Sequence, residues 1–415
     1  MTPETVVLVG AGALFVITTV SGWLERLLLT EPLVAMILGT VVGAFLADPI
    51  ELETPPILTV LELTLALVLF SDASRINVMH LRDGYPWPLR MLMIGLPLVV
   101  VLGAIFSSWY LSLPLGLAML LAAVLAPTDA ALAEPVLGAD EVPARVRQAL
   151  NVESGLNDGL AVPLLLIAIG IIDAEEGGGV ANAVSLVFSQ LGIGVVGGLV
   201  VGWLGATIIG RAGDSGRLNL LHQKVAAVAL ALVGFSAVQL LGGSGFVAVF
   251  IAGGLMSYLL KSPSEYIYQF AEAEGHSLVL IAFFIVGAGP VTRVISEGVS
   301  PQAVVVALVS LFVLRPFAIW LSLLDQRLSR RTVVFLGWFG PRGLATVVFL
   351  LVAVGELGAL PTLVEDVITT TVILSVALHG LSALPMSRWL GGMEMDETMP
   401  EMGEAYAHPT RRGSV

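Results

Sequence analysis

Gln148-Ala149-Leu150-Asn151-Val152-Glu153-Ser154-Gly155-Leu156-Asn157-Asp158-Gly159-Leu160-Ala161-Val162-Pro163-Leu164-Leu165-Leu166-Ile167 sets two carboxylates and several neutral oxygens in an apolar run, with no basic residue beside Asn157-Asp158. A carboxylate at membrane depth is costly. Its presence points to an ion path, a proton relay or a buried ion partner. Residues four apart on a helix share a face, so Glu153 lies with Asn157, and Ser154 lies with Asp158 on the adjacent face. Pro163 frees the carbonyl of Gly159 and bends the helix just beyond Asp158. Gly155 and Gly159 let a second backbone approach closely.

The rest of the chain supports a membrane setting. Of 415 residues, 57% are hydrophobic and 12% charged, and the mean hydropathy is +0.95. An ordinary soluble domain is about a quarter charged. This is therefore an integral, polytopic membrane protein. A net charge of −13 argues against nucleic-acid binding and against anchoring by a basic patch. The absence of cysteine excludes disulfides, thiolate metal sites and Cys nucleophiles. Glu4 precedes the first apolar run and no Lys or Arg does, so that run reads as a retained span rather than a signal peptide.

Apolar stretches give 13 candidate spans, near 6–24, 32–47, 57–73, 89–110, 113–137, 147–172, 180–210, 222–241, 245–260, 276–295, 302–324, 332–356 and 363–388. With the N-terminus outside, the inside segments hold Arg26, Arg75, Arg82, Arg90, Arg145, Arg147, Arg211, Arg217, Lys224, Lys261, Arg327, Arg330, Arg331, Arg388, Arg411 and Arg412, which is 16 of 19 basic residues. The outside loops hold only Arg293, and Arg315 and Arg342 fall inside spans. That asymmetry puts the C-terminus in the cytoplasm. The outside loops are acidic, with Asp48, Glu51, Glu53, Asp173, Glu175, Glu176, Glu365 and Asp366.

The expected fold is all-α and polytopic, with 13 transmembrane helices. Two inverted six-helix repeats, about 1–172 and 222–388, flank a connector helix at 180–210. An odd offset of seven helices makes the second half enter from the opposite face, and transporters built this way carry broken helices at matching places. Span 5 reads Ala126-Pro127-Thr128-Asp129-Ala130 and span 12 reads Phe339-Gly340-Pro341-Arg342-Gly343, each with a mid-span proline that removes a helix donor. Helices 5 and 12 are thus expected to be discontinuous and crossed. Residues 1–390 form one transmembrane domain. The polar tail 391–415, with Glu394, Asp396, Glu397, Glu401 and Glu404, reads as flexible. Gly194, Gly198 and Gly202 in the connector serve either internal packing or a dimer seam.

A small monovalent cation needs several oxygens to replace its hydration shell. Asp158, Ser154, Asp129 and the unwound backbone around Thr128 supply hard oxygens suited to sodium, lithium or potassium. The same carboxylate can take up a proton. Such a site holds a cation or protons, not both, and exchange follows if only the loaded site can face either side. The buried arginines need partners, and Glu153 is expected to pair with Arg342 and Asn157 with Arg315. Breaking a buried pair costs roughly 3–5 kcal/mol, so these contacts read as architecture.

Thr128-Asp129, Glu153-Ser154-x-x-Asn157-Asp158, Arg315 and the Gly-Pro-Arg342-Gly segment resemble the NhaP-like branch of the monovalent cation/proton antiporters, over nearly the whole chain. The resemblance implies the thirteen-helix inverted-repeat fold, a homodimer in the cell membrane, and sodium or another monovalent cation exchanged for protons. It makes Asp158 the transport carboxylate, assisted by Asp129, Ser154 and Thr128, and makes Glu153 with Arg342 and Asn157 with Arg315 structural pairs. Asp72, in Phe70-Ser71-Asp72, matches an acidic position that some members use near the ion, where others have glutamate with glycines. An asparagine before the transport aspartate implies electroneutral exchange. The substrates are then Na+ or Li+, with K+ as the rival, together with H+. No cofactor and no nucleic-acid partner is implied, and membrane lipids surround the protein.

Glu62 reads as a packing or cavity residue, His379 as a hydrogen-bonded bundle histidine, and Asp140 with Glu141 as a solvated loop. A proton-independent cation channel is the alternative from another class, although no ring of charges marks a pore. An intramembrane enzyme lacks support, since no His-Glu metal motif, Ser-Lys pair or Cys stands in the spans. A phosphate loop is also missing.

Overall fold

The computed structural model describes residues 11–19, 30–46, 55–75, 86–215, 218–260, 265–392 and 399–402. All regular structure among them is helical. The helices are α1 (11–19), α2 Glu31–Ala44 and α3 Pro55–Arg75, α4 Pro86–Leu111, α5 Leu115–Val124, α6 Ala130–Leu137 and α7 Ala144–Asp173. They continue as α8 Val180–Asp214, α9 Leu220–Leu240, α10 Gly245–Leu259 and α11 Glu265–Val286, which runs on to Glu297. The last are α12 Pro301–Ser322, α13 Arg330–Trp338, α14 Leu344–Leu357 and α15 Thr362–Gly391. Eight helices among the described residues are long and apolar enough to cross a membrane, and α2, α5, α10 and α14 are shorter apolar helices. This is a multi-pass membrane protein.

Short polar side chains start several helices by accepting from orphan N–H groups. Asn219 caps α9 through His222 N at 3.0 Å. Ser300 caps α12 through Ala303 N at 3.1 Å, followed by Pro301 in the first turn, and Ser329 caps α13 through Thr332 N at 3.0 Å.

The helices sort into two bundles that meet along α7. In one, α2, α3, α9, α10 and α11 pack together with α8 on the outside; in the other, α4 to α7 pack with α12 to α15. Gly39 and Gly43 of α2 lie so close to Phe284 and Ala288 of α11 that added methyl groups would meet backbone carbonyl atoms. The glycine stripe of α8 serves internal packing. Methyl groups at Gly194, Gly198 and Gly202 would stand 3.0, 2.6 and 2.8 Å from the carbonyl oxygens of Ser244, which caps α10, and of Ala248 and Ala252 within it.

The proline breaks appear where the sequence sets them. α5 stops at Val124 and α6 starts at Ala130; α13 stops at Trp338 and α14 starts at Leu344. The two breaks touch, since Asp129 N donates to Pro341 O at 2.7 Å.

The tail departs from the expectation of a flexible segment at its described residues. Glu401 is buried, its Oε1 accepting from Ser329 N at 2.7 Å and from Thr332 Oγ1 at 2.9 Å. Arg145 Nη1 donates to Pro400 O at 3.0 Å. An acidic side chain is favourable at a helix N-terminus, where free N–H groups carry positive partial charge, and α13 presents one. Arg26, Arg82, Arg217, Lys261, Arg411 and Arg412, the acidic Asp48, Glu51 and Glu53, and most of 391–415 lie outside the described residues.

Candidate functional site

The site forms where the two breaks cross beside the middle of α7. A helix end leaves four carbonyls or four N–H groups without intrahelical partners, so two broken helices bring four such ends into an apolar interior. Each must be satisfied, and the charged residues picked out in the sequence do much of this.

Asp129 serves both N-termini. Its Oδ1 accepts from Ala131 N at 2.9 Å in the first turn of α6, and its Oδ2 accepts from Leu344 N at 2.8 Å at the start of α14. The approach is close enough that a methyl on Gly343 would overlap the carboxylate. The C-termini take arginines. Arg342 Nη1 donates to Pro127 O at 2.7 Å and also to Ala126 O, just past the end of α5. Arg315 Nη2 donates to Phe339 O at 3.2 Å, just past the end of α13. Cations belong at the negative end of a helix dipole, and both arginines obey this.

The ion pairing differs from the sequence expectation. Glu153 pairs with Arg315, not Arg342: Nη1 to Oε1 is 3.0 Å and Nη2 to Oε2 is 3.1 Å. The planar guanidinium fork matches a carboxylate in this two-point geometry, while Arg342 is committed to the carbonyls of the α5 break. Asn157 does not meet Arg315 either. Its Nδ2 donates to Thr128 Oγ1 and, at 3.4 Å, to Glu153 Oε1, and its Oδ1 is buried with no partner among the described residues. Helical spacing shows that Glu153 and Asn157 share a face, but not which of two distant arginines reaches it.

Thr128 joins the break to α7. Its hydroxyl lies 3.3 Å from Glu153 Oε2 and 3.2 Å from Ser154 Oγ. Thr128, Ser154, Asn157 and Asp158 are all buried. Asp158 differs from the carboxylates Asp129 and Glu153. Its Oδ1 is buried and accepts no hydrogen bond among the described residues, whereas both oxygens of Asp129 and both of Glu153 are engaged. Asp129, Asp72, Glu153 and Arg342 all act electrostatically on Asp158. Asp72 lies half-buried on α3, so it approaches from the other bundle.

Two supports were not assigned to the site from sequence. Ser375 Oγ accepts from Arg342 N at 2.5 Å, fixing the α14 break to α15. His379 Nε2 stands 2.9 Å from Trp338 O, the last residue of α13, and Nδ1 stands 3.1 Å from Ser375 Oγ. Ser375 and His379 lie four apart on α15, and that shared face was the only signal in the sequence. His379 is a hydrogen-bonded bundle histidine, as its sequence position suggested.

Crossed, unwound helices with an unpaired carboxylate oxygen at their junction describe a secondary transporter. The family model for the sodium/hydrogen exchanger, transmembrane, matches residues 12–389. The chain belongs to that family, whose members are membrane antiporters and not enzymes, and within it is NhaP-like. The K(+)/H(+) antiporter NhaP of Alkalimonas amylolytica is 25% identical over 401 residues, which are 94% of this chain and 68% of that protein. The K(+)/H(+) antiporter NhaP2 of Shewanella sp. (strain MR-4) is 27% identical over 294 residues, 69% of this chain and 49% of that protein, so this stretch spans about half of that relative. Among solved structures, the sodium proton antiporter MjNhaP1 from Methanocaldococcus jannaschii superposes with a TM-score of 0.74 at 21% identity, over 95% of this chain and 100% of that one. The fold is therefore that of MjNhaP1.

Proposed function

We propose that the protein exchanges a monovalent cation for protons by alternating access, with Asp158 carrying the two in turn. The observation that carries this reading is the buried Asp158 Oδ1, which has no hydrogen-bond donor among the described residues, at the crossing of two broken helices. A transport site needs an oxygen that the fold itself does not satisfy. Thr128 and Ser154 complete the ligand set from the break and from α7, with unwound carbonyls beside them. Asp129 adds negative charge while its oxygens hold α6 and α14, and Asp72 adds charge from α3.

Exchange is electroneutral, one cation for one proton. Three observations support that stoichiometry. Asn157 cannot ionise, Glu153 is bound to Arg315, and Asp129 accepts two backbone N–H bonds. Of the carboxylates on the α5–α6 break and on α7, Asp158 then remains to swap a single charge for a single charge.

Sodium, with lithium, is the leading cation. Potassium is the second reading, and the Alkalimonas and Shewanella relatives, both K(+)/H(+) antiporters by name, favour it. The protein spans the cell membrane 13 times as two inverted repeats around a connector, N-terminus outside and C-terminus in the cytoplasm, and works as a homodimer. The basic residues on alternate sides support the orientation.

The test is cation-induced pH change in sealed vesicles, with sodium, lithium and potassium compared and an imposed voltage as a second variable. The reading expects one cation to collapse the pH gradient at a rate indifferent to voltage. Cation flux that needs no proton gradient would mean a channel instead.

A further inference from the structure

Arg293, the basic residue among acidic outer loops, sits near the end of α11 in one bundle. It meets two acids at the start of α15 in the other bundle: Nη1 is 3.2 Å from Glu365 Oε2 and Nη2 is 3.5 Å from Asp366 Oδ1. We infer that Arg293, Glu365 and Asp366 form a clasp that closes the seam between the bundles at this end and must part before the ion site opens there.

Both halves of the clasp are held rigidly. On the α11 side, Thr292 Oγ1 donates to Gly287 O at 2.9 Å, and Gly43 of α2 lies against Ala288 and Thr292, so Arg293 moves with the first bundle. On the α15 side, Ser375 holds Arg342 N and His379 holds Trp338 O, so Glu365 and Asp366 move with the broken helices. The ion pairs therefore bridge two bodies whose relative rocking is how transporters of this design alternate.

The contacts in the first half of α11 differ at His276. His276 Nε2 is 2.7 Å from Glu31 Oε2 in its own bundle, and its Nδ1 is 4.0 Å from Glu134 Oε2 of α6. Among the described residues, the ion pairs at the Arg293 end, at 3.2 and 3.5 Å, are shorter than this second contact between the bundles. The side chains of Arg293, Glu365 and Asp366 are 28%, 23% and 18% exposed. Pairs of that exposure shift an equilibrium by roughly twofold to tenfold, enough to bias a conformation and little enough to break in every cycle.

The clasp rests on the alternating-access reading, and its test reads opening rather than transport. The chain has no cysteine, so one introduced thiol reports alone. Thr370 is buried on α15, four residues beyond Asp366 on the same face. In proteoliposomes, Thr370→Cys is labelled by a membrane-impermeant maleimide added on the Arg293 side. Arg293→Gln is expected to raise the labelling rate about fivefold. The exchanged pair Arg293→Glu with Asp366→Arg should return it toward the parent rate, while Arg293→Glu alone stays fast. Equal rates in the parent, Arg293→Gln and the single and exchanged charge variants overturn the clasp. A protein that fails the vesicle exchange assay yet shows this labelling pattern overturns the exchange reading and leaves the clasp standing.

Discussion

The backbone N–H of Leu344 donates to Asp129 Oδ2 at 2.8 Å, although the two residues are 215 positions apart in the chain. The same carboxylate caps α6 through Ala131. One side chain therefore fastens the N-terminal ends of both discontinuous helices.

Asp129→Ala should remove two caps at once. A lost cap costs about 1 kcal/mol, so the variant should lose about 2 kcal/mol of stability. Asp129→Asn, which still caps, should lose less. Thermal unfolding in detergent measures this. A variant with an unshifted midpoint and a weakened apparent cation affinity would instead make Asp129 an ion ligand.

Asp158→Asn should stop exchange while the fold survives. The Asp158 Oδ1 oxygen takes no donor among the described residues, so its charge is not needed for packing. Vesicles carrying the variant should show cation-induced pH changes at background level, with an unchanged elution profile. Full activity would move the transport role elsewhere.

Glu153→Ala should leave Arg315 charged and unpaired in the interior. Removing one side of a buried pair costs about 3–5 kcal/mol. Replacing both partners, as in Glu153→Leu with Arg315→Met, should recover part of that loss. If Glu153→Ala melts like the parent but cannot transport, the carboxylate belongs to the ion site and not to the frame.

The sequence carried much of this. Pro127 and Pro341 marked both breaks, because a residue without an N–H removes an intrahelical donor, although α7 continues through Pro163 and α15 through Pro385. The burial of Asp158 followed from its apolar surroundings. The partners did not follow. Glu153 has two arginines within the spans to choose from, and only the three-dimensional crossing commits Arg342 to the α5 carbonyls and leaves Arg315 for the acid. The second cap made by Asp129 depends on a contact across most of the chain. Glu401 was unreadable for a different reason, since a single docked residue does not alter the composition of a polar tail.

Glu401→Ala should destabilise the protein by about 1 kcal/mol or more, since a buried carboxylate that accepts from Ser329 N and Thr332 Oγ1 is lost. Truncation after residue 398 should match it. Midpoints equal to the parent in both variants would mean that Pro400–Met402 contributes nothing to holding α13.

The proposed competition at Asp158 fixes the direction of a pH effect. Lowering the pH supplies more of the rival occupant, so the apparent KM for the cation should rise while the maximal rate at saturating cation changes less. Initial exchange rates across a pH series would reveal it. A KM independent of pH would mean that the two ions use separate groups.

All four severed helix ends are matched by residues of the chain itself, arginines at the two carbonyl ends and one aspartate at the two amide ends. The cargo is consequently no part of the mortar. A carrier must survive the moment when its pocket holds nothing, and here the masonry around that pocket stands without a passenger.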